Sequence, residues 1–307
     1  METLSDWEGR LIGGRYELRE YIAKGGFGHV FKAWDCTNNC WVAIKIATVN
    51  PGQNTFGDTK VNRLKREVVA LKKLDDSRIV RLLDSGKEAG FGFAALEFLD
   101  GVNLSSYIDS VGHKGSKRLC VHIIIQLLEA IGVAHKAGLI HRDIKPENVM
   151  VTSDGLIKLI DFGIVTGVHK PGKRKRRVTP LGVVLGTPGY LSPEQAHGKR
   201  LDLSSDLYNC GLVLFELLTR ELPFPARHGK VNVEAMERKM SSFFKLCRVS
   251  GKVQNIIRKA LQEDPALRFQ TAEEMRLALV EAVRPFSFRR FVKSFWSRIC
   301  SFFRLSK

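Results

Sequence analysis

The most informative part of the sequence is His141-Arg142-Asp143-Ile144-Lys145-Pro146-Glu147-Asn148, together with the triplet Asp161-Phe162-Gly163 that follows the apolar run Leu156–Ile160. Transfer of a phosphoryl group needs a carboxylate that orients the attacking hydroxyl, oxygen ligands for Mg²⁺ and a cation near the transferred group. The side chains that offer these groups are Asp143, Lys145, Asn148 and Asp161. The alternative is that these residues only form two polar turns flanking a hairpin. The presence of both motifs together, with all four of these side chains, disfavours it.

Two weaker patterns lie upstream of this stretch. The segment Ile22–Val30 has glycines between two predicted strands, which lets backbone N–H groups approach phosphate oxygens. The strand Val42–Lys45 ends in a lysine, and Glu67 follows 22 residues later in a segment with helical periodicity. Alone, the first pattern is typical of a hairpin turn and the second of a solvated lysine at a sheet edge. Beside the downstream motif, they predict a phosphate-binding hairpin and a Lys45–Glu67 ion pair.

The hydrophobic periodicity changes along the chain from strand-like to helical. Strands are predicted over Tyr16–Ile22, His29–Asp35, Trp41–Ala47, Ile79–Asp84 and Phe91–Phe98. Helices are predicted over Arg63–Leu74, Leu119–Gly138, Ser205–Thr219 and Lys252–Glu263. This order predicts an α+β fold with two lobes and a cleft between them: a β-rich N-lobe of about residues 16–99 and a mainly α-helical C-lobe of about 100–283. Residues 1–15 are predicted to be a polar N-terminal extension and residues 284–307 a separate tail.

The composition is that of a folded protein with a strong positive charge. Apolar residues make up 44% of the chain, and 49 Lys and Arg against 32 Asp and Glu give a net charge of +17. This charge favours anionic partners, such as nucleotide phosphates, acidic proteins, nucleic acid or an anionic membrane, without choosing among them. Six scattered cysteines without zinc-ligand spacing predict reduced thiols and a cytoplasmic location. The N-terminus lacks a signal-peptide pattern, and His122, Gln126 and Glu129 interrupt the most apolar stretch, so no transmembrane span is predicted.

With these motifs in place, the chain resembles the eukaryotic-type protein kinases over about Tyr16–Val283. The resemblance implies the two-lobed protein kinase fold, ATP and Mg²⁺ as cofactors with Mn²⁺ as an alternative, and protein substrates. The implied catalytic residues are Lys45, Glu67, Asp143 and Lys145, and the implied metal ligands are Asn148 and Asp161. In these roles Asp143 is the catalytic base, and Lys45 binds phosphates with Glu67 as its helix partner. A lysine at the position of Lys145 is typical of this loop in Ser/Thr kinases, so the resemblance implies Ser and Thr hydroxyls as acceptors.

The same resemblance implies a nucleotide site built from the glycine-rich segment, the neighbouring strands and a hinge. Its implied residues are Ile22, Ala23, Lys24, Gly25, Gly26, Phe27, Gly28, Val30, Ala43, Lys45, Leu96, Glu97 and Leu99. Leu96 is implied as the gatekeeper, and the residues after it as the hinge to adenine. Ala23 departs from the family pattern, which has a glycine there. Because its methyl group disfavours positive φ, we expect a modest effect on ATP affinity.

Landmarks further along the chain extend the resemblance. The segment Gly186–Glu194 resembles the substrate-binding end of the activation segment, with Ser192 where alanine is usual. By the same resemblance Asp206 braces the catalytic loop, and Arg268 pairs with Glu194. The segment Leu185–Gln195 and the compact C-terminal part are most similar to those of bacterial members of the family.

A basic run, Lys170–Arg177, has six basic residues in eight and lies inside the implied activation segment. It is either a solvated charge run or a switch in which a phosphate on a nearby threonine pairs with these charges or with Arg142. Thr179 is predicted as the leading autophosphorylation site. Thr187 is the weaker candidate, because its hydroxyl is expected to help position the catalytic loop. Nuclear targeting or nucleic-acid binding is a weak alternative, since such runs are common.

The tail, residues 286–307, separates apolar from basic residues at helical spacing. The apolar set is Phe288, Phe291, Val292, Phe295, Ile299, Phe302 and Phe303. The basic set is Arg289, Arg290, Lys293, Arg298 and Arg304. Residues 287–307 include no acidic residue, so the pattern predicts a basic amphipathic helix that lies on an anionic membrane. A helix docked on the C-lobe is the alternative.

Two alternatives to an active protein kinase stay open at the level of sequence. A pseudokinase would keep the fold as a binding scaffold, although every member of the catalytic set is present in this chain. A kinase of small molecules is disfavoured by Pro193 and Glu194, which resemble the peptide-docking end of protein kinases. The sequence predicts no particular substrate protein, upstream signal or oligomeric state.

Overall fold

The structure is a computed structural model, and its described residues form two units. The described residues are 7–25, 28–48, 60–88, 90–111, 116–153, 155–163, 166–167, 187, 189–223 and 233–283. Those up to Asp100, together with residues 161–163, form a β-rich unit, and the others form a mainly helical unit. The predicted features that lie outside the described residues are residues 1–6 of the N-terminal extension, Gly26, Phe27, Lys170–Arg177, Thr179, Gly186, Pro188 and the tail 284–307.

An antiparallel sheet of six strands, in the order β1-β2-β3-β4-β6-β5, forms the β-rich unit. The strands are β1 Leu11–Ile12, β2 Tyr16–Gly25, β3 Gly28–Asp35, β4 Cys40–Thr48, β5 Leu82–Glu88 and β6 Phe91–Glu97. The predicted strands are present, although β5 begins three residues later than its predicted start at residue 79. Asp35 fixes the turn between β3 and β4, because its carboxylate accepts the N–H groups of Thr37 and Asn38 at 3.0 and 3.1 Å.

Different elements cover the two faces of this sheet. One face carries the apolar core, whose members are Ile12, Tyr16, Leu18, Phe31, Ala33, Val42, Ile44, Ile46, Phe91, Phe93 and Ala95. The helix α1, Lys60–Leu71, packs on the other face, where its Leu64 forms a cluster with Ala47 and Ala94. The predicted helix is therefore present, but it begins and ends three residues earlier than its predicted bounds of 63 and 74. Side chains two apart on a strand share a face, so the alternation seen in the sequence separates these two surfaces.

The described part of the N-terminal extension belongs to this sheet. The sequence predicts a polar lead over residues 1–15, but Leu11 and Ile12 pair with Glu17 and Tyr16 as strand β1. Ile12 is fully buried, and Trp7 packs against the apolar core. A strand of two residues is too short to show periodicity, which explains why the sequence did not indicate it.

The helical unit is organised around one long buried helix. Its helices are α2 Leu104–Val111, α3 Lys117–Lys136, α4 Pro193–Ala196, α5 Leu203–Thr219, α6 Val233–Leu246, α7 Gly251–Ala260 and α8 Ala272–Ala282. The central helix α3 packs against α5 and α8. Among the described helices, α3 is the one long and apolar enough to cross a membrane by length and composition, but 56% of its most apolar window is buried inside the unit. This burial is that of a core helix.

Two small sheets frame the motif His141–Asn148 in the helical unit. Their strands are β7 Gly101–Asn103, β8 Leu139–Ile140, β9 Val149–Thr152, β10 Ile157–Leu159 and β11 Thr166–Gly167. The motif begins directly after β8, which pairs with β11, and ends directly before β9, which pairs with β7 and β10. Both ends of the loop are therefore held by backbone hydrogen bonds. The predicted α+β fold, with a β-rich N-terminal part and a mainly α-helical C-terminal part, is confirmed.

Candidate active site

Lys45 on β4 is paired with two carboxylates inside the β-rich unit. Its Nζ lies 2.6 Å from Oε2 of Glu67 and 3.1 Å from Oδ1 of Asp161. Lys45 is 6% exposed and Glu67 is 1% exposed, so their charges are balanced by each other rather than by water. The predicted Lys45–Glu67 ion pair is present, and the same ammonium also holds Asp161.

Burial and pairing act in opposite directions on these groups. Burial alone would lower the pKa of Lys45, but the carboxylates of Glu67 and Asp161 raise that pKa above its ordinary value. Burial raises the pKa of Glu67, and the charge of Lys45 and the N–H of Phe162 oppose this rise. Lys45 therefore stays charged at neutral pH, which is the form that binds phosphate oxygens.

The strand register places four of the predicted nucleotide-site residues on one face of the sheet. Val30 lies opposite Lys45 in the β3–β4 pairing, and Ala43 lies opposite Leu96 in the β4–β6 pairing. Ala43 and Lys45 are two residues apart on β4, so both pairs lie on the same face. The predicted hinge residues Glu97 and Leu99 follow at the end of β6. These positions came from the family resemblance, and the register brings four of them together.

The glycine-rich hairpin is described up to the pair Gly25 and Gly28, where β2 and β3 converge. A Cβ on Gly28 would collide with the backbone carbonyl of Ile46 on β4, so only glycine fits at this close approach. On the first strand of the hairpin, Ile22, Ala23 and Lys24 lie next to its glycines and are exposed. The hairpin therefore packs closely against β4 at its base.

In the helical unit, Asp143 lies at the centre of a set of polar contacts. Nδ2 of Asn148 donates to the backbone oxygen of Asp143 at 2.8 Å and to its Oδ2 at 3.1 Å. Nζ of Lys145 lies 3.4 Å from Oδ2 of Asp143, and the hydroxyl of Thr187 donates to Oδ1 at 3.4 Å. A carboxylate held by an amide, a cation and a hydroxyl is well placed to orient an attacking hydroxyl and accept its proton.

Asp206 on α5 fixes the backbone directly before Asp143. Its carboxylate accepts the N–H groups of His141 and Arg142 at 2.9 and 2.8 Å, and it contacts Nε2 of His135 at 2.8 Å. Arg142 has a φ of 72°, a left-handed conformation that is unfavourable for a residue with a side chain. Burial would raise the pKa of Asp206, but the contact with His135 and the N–H of Arg142 hold that pKa below its ordinary value. The predicted brace is present, and it maintains a strained backbone.

Two residues of this brace were not predicted from the sequence. His135, near the end of α3, was not singled out from the other polar residues of that helix. Gln195 donates from Nε2 to the carbonyl of Arg142 at 2.8 Å, while its Oε1 accepts the N–H of Ser192 at 3.0 Å. The spacing of Ser192 and Gln195 is that of a capping box, which was the available signal for a helix start. No sequence pattern indicated that Gln195 would contact the loop.

The predicted pair of Glu194 and Arg268 is bidentate and buried. The two N–O distances are both 2.8 Å, and Arg268 also donates to the backbone oxygens of Gln262 and Glu263 at 2.7 and 3.0 Å. Burial would raise the pKa of Glu194, but the guanidinium of Arg268 holds it below its ordinary value. This pair ties the start of α4 to the segment that precedes α8.

Asn148 and Asp161, the predicted metal ligands, have oxygens of the type that Mg²⁺ prefers. The amide nitrogen of Asn148 is used on Asp143, which directs its amide oxygen away from that residue. Asp161 has a φ of 66°, and its Oδ1 accepts from Lys45 and from the N–H of Gly163 at 3.1 Å each. Each residue therefore fits the role of an oxygen ligand within its own unit.

Comparison with known proteins identifies the family. A model of the protein kinase domain matches residues 16–278. The chain belongs to the protein kinase family. The kinase domain thus covers both the Lys45–Glu67 pair and the loop around Asp143, and the family predicted from the motifs is confirmed. Members of this family use ATP together with a divalent metal ion.

Relatives of this kinase domain include several bacterial proteins. Serine/threonine-protein kinase PrkC of Bacillus subtilis is 36% identical over 276 residues, which cover 87% of this chain and 40% of that protein. Serine/threonine-protein kinase PksC of Streptomyces coelicolor is 36% identical over 276 residues, covering 87% and 48%. Serine/threonine-protein kinase PknB of Mycobacterium tuberculosis is 33% identical over 276 residues, covering 88% and 43%. The chain spans less than half the length of these relatives, and the predicted similarity to bacterial members is confirmed.

Proposed function

We propose that this kinase domain transfers the γ-phosphoryl group of ATP to serine and threonine hydroxyls of proteins. The main support for the proposal is the set of contacts around Asp143. Its carboxylate contacts Asn148, Lys145 and Thr187, and Asp206 holds the backbone of the loop that contains Asp143. The relatives PrkC, PksC and PknB are named serine/threonine-protein kinases, which supports serine and threonine as the acceptors.

The proposed chemistry assigns one task to each side chain. Asp143 orients the attacking hydroxyl and accepts its proton. Lys145, with Nζ 3.4 Å from that carboxylate, places positive charge where charge develops on the transferred group. Lys45 binds phosphate oxygens of ATP, and Glu67, 2.6 Å away, keeps the ammonium in position.

ATP and Mg²⁺ are the proposed cofactors, with Mn²⁺ as an alternative ion. Mg²⁺ is favoured because Asn148 and Asp161 are both hard oxygen donors. When bound, the ion neutralises charge on the phosphates. The proposed nucleotide site includes Val30, Ala43 and Leu96, and their common sheet face with Lys45 supports it.

The proposed activity is tested with purified protein, Mg²⁺, γ-labelled ATP and myelin basic protein as a general acceptor. We expect label on serine and threonine, and we expect Asp143→Asn and Lys45→Met each to reduce transfer by about a hundredfold or more. Asp75→Asn makes the same acid-to-amide change at an exposed loop position, so it serves as the matched control. Wild-type protein that binds ATP but transfers nothing would favour a pseudokinase scaffold, and label found only on small molecules would contradict a protein substrate.

Autophosphorylation of the activation segment is part of this proposal, with Thr179 as the leading site. A phosphate there would bring about −1.5 to −2 charges next to the basic run Lys170–Arg177. The hydroxyl of Thr187 is the weaker candidate, because it contacts Lys145 and Asp143. Phosphosite mapping of active protein tests this assignment, and a map without any phosphate on residues 164–187 would contradict it.

We also propose a cytoplasmic location with attachment to an anionic membrane surface through residues 286–307. The six cysteines are scattered without zinc-ligand spacing, a pattern that supports a reducing compartment. The tail combines aromatic residues with basic residues and no acid, a composition that favours an anionic lipid surface over nucleic acid.

A further inference from the structure

A row of four aromatic rings crosses the core face of the six-stranded sheet. The ring of Trp7 lies 6.4 Å from that of Phe31 between centroids, in a stacked arrangement. Phe31 lies 5.3 Å from Tyr21, edge to face, and Tyr21 lies 6.0 Å from His29. Distances of this size are typical of rings in favourable contact. The row therefore connects the N-terminal segment to the strand that leaves the glycine-rich hairpin.

The far end of the row is at the base of that hairpin. His29 directly follows Gly28 and lies opposite Lys24 in the register of β2 and β3. The Nδ1 of His29 is buried and has no hydrogen-bond partner among the described residues. Ring packing against Tyr21, together with the strand pairings, therefore holds this side chain in place.

A β-bulge lies directly after Tyr21 in the first strand of the hairpin. Tyr21 pairs with Phe31 and Ala23 pairs with Val30, so Ile22 is an extra residue between two consecutive pairs. A bulge interrupts the ladder and bends the strand, so backbone pairing restrains the neighbouring residues of the strand less tightly. The ring of Tyr21 is thus a fixed point directly before the segment that approaches phosphate.

The near end of the row is firmly attached to the sheet. Trp7 lies 5.3 Å from Phe91 between ring centroids, and the guanidinium of Arg10 lies over both rings at 4.7 and 5.4 Å. The backbone N–H of Gly9 donates to the carbonyl of Leu18 at 2.7 Å. Trp7 precedes the match to the protein kinase domain, which begins at residue 16. It is nevertheless packed on the core of this unit.

We propose that Trp7 is a positioning residue for the nucleotide, acting through Phe31 and Tyr21 on the glycine-rich hairpin. This inference rests on the proposed ATP-dependent function. Glycine has more accessible backbone conformations than other residues, so ordering a glycine-rich segment around a nucleotide costs conformational entropy. When the row of rings restricts the hairpin in advance, less conformational entropy is lost on binding. Loss of Trp7 therefore weakens ATP binding and leaves the catalytic loop around Asp143 unchanged.

The test measures the Kd for ATP by direct titration and the KM and kcat of phosphoryl transfer for three full-length variants. Trp7→Ala removes the first ring, and we expect Kd and KM for ATP to rise about three- to tenfold, the equivalent of one lost aromatic contact, with kcat unchanged. Trp7→Phe keeps a ring, and we expect values within twofold of the wild type. Tyr16→Leu is the matched control, because Tyr16 is a buried ring at the opposite end of β2.

We expect Tyr16→Leu to lower the melting temperature without changing the affinity for ATP. An equal loss of affinity in Tyr16→Leu and Trp7→Ala would overturn the positioning role, because general destabilisation would then explain both. An unchanged Kd in Trp7→Ala would also overturn it. Wild-type protein that binds ATP but transfers no phosphate would overturn the proposed activity alone, because the comparison of Kd values does not depend on turnover.

Discussion

The Nζ of Lys145 lies 2.5 Å from the Oγ1 of Thr187, and this contact joins the catalytic loop to the segment before α4. The same hydroxyl donates to Oδ1 of Asp143 at 3.4 Å. Thr187 therefore fixes both the cation and the carboxylate of the proposed reaction. These contacts agree with the expectation from the sequence that this hydroxyl helps position the catalytic loop, and the positioning role itself stays a prediction.

Thr187→Val should reduce kcat without a comparable loss of stability. The substitution keeps the shape of the side chain but removes a hydrogen bond to two charged groups, which is worth about 1.5–3 kcal/mol, or roughly a tenfold effect or more. Thr187→Ser retains the hydroxyl and is expected to stay within a few-fold of the wild type. Steady-state kinetics and thermal unfolding of both variants check this, and equal rates for the valine and serine variants would contradict it.

Asp206→Asn should lower both the stability and kcat of the protein. The amide offers one oxygen where two backbone N–H groups now donate, so one N–H of His141 or Arg142 faces an NH₂ group. Leaving a buried donor unsatisfied costs about 1–3 kcal/mol, and the left-handed backbone of Arg142 loses its support. The readouts are the free energy of unfolding in urea and kcat.

Asp202 provides the matched control on the same helix. It is the N-cap of α5, where its carboxylate accepts the N–H of Ser204 at 2.8 Å. Asparagine caps helices about as well as aspartate, so Asp202→Asn should change the free energy of unfolding by only about 0.3 kcal/mol. A similar loss in both variants would show that Asp206 acts as a general helix residue rather than as the brace of the loop.

The sequence predicted the elements and the chemistry better than the contacts between distant segments. The motif His141–Asn148 is defined by residue types at fixed spacing, and the strands are defined by alternation of apolar and polar residues. Both patterns can be recognised in the sequence. His135 and Gln195 act on the backbone of the loop through single hydrogen bonds, and no local pattern marks such contacts. Strand β1 has two residues, too few for a repeating alternation, and its place in the sheet depends on tertiary packing.

The buried pair of Glu194 and Arg268 predicts how stability changes in acid. Because the pKa of Glu194 is lowered in the folded state, its contribution is fully present above the unfolded pKa of about 4.3 and is lost as the pH falls through the folded value. Glu194→Gln should therefore be less stable than the wild type at pH 7, by about 3–5 kcal/mol for a broken buried pair. The difference should shrink as the pH falls below about 4.

Urea unfolding of both proteins between pH 3 and pH 7 measures this difference. Glu274, which is partly exposed and paired with Lys259 at 2.6 Å, offers a matched control. Glu274→Gln should change stability by no more than about 1 kcal/mol at any pH, because solvent weakens an exposed pair. A pH-independent gap between Glu194→Gln and the wild type would show that the ionised carboxylate is not the source of the stabilisation.

The tail predicts binding to anionic membranes that weakens with salt. The six basic residues in 287–307 each contribute about 1 kcal/mol near an anionic surface, and the aromatic residues add burial at the acyl boundary. Full-length protein should therefore sediment with vesicles containing anionic phospholipid but not with neutral vesicles. Since charges are screened over about 10 Å at 0.1 M salt, recovery should fall steeply as salt is raised. A protein ending at Arg284 should stay in the supernatant.

A variant in which Arg289, Arg290 and Lys293 are replaced by glutamine separates charge from hydrophobic attraction. The variant keeps every apolar residue of the tail but removes three positive charges. If electrostatic attraction is required, it should lose binding to anionic vesicles. A tail docked on the helical unit instead predicts that removal of residues 285–307 lowers the melting temperature and that lipid has no effect. Equal recovery of the full-length and shortened proteins with anionic vesicles would therefore refute membrane attachment and support the docked helix.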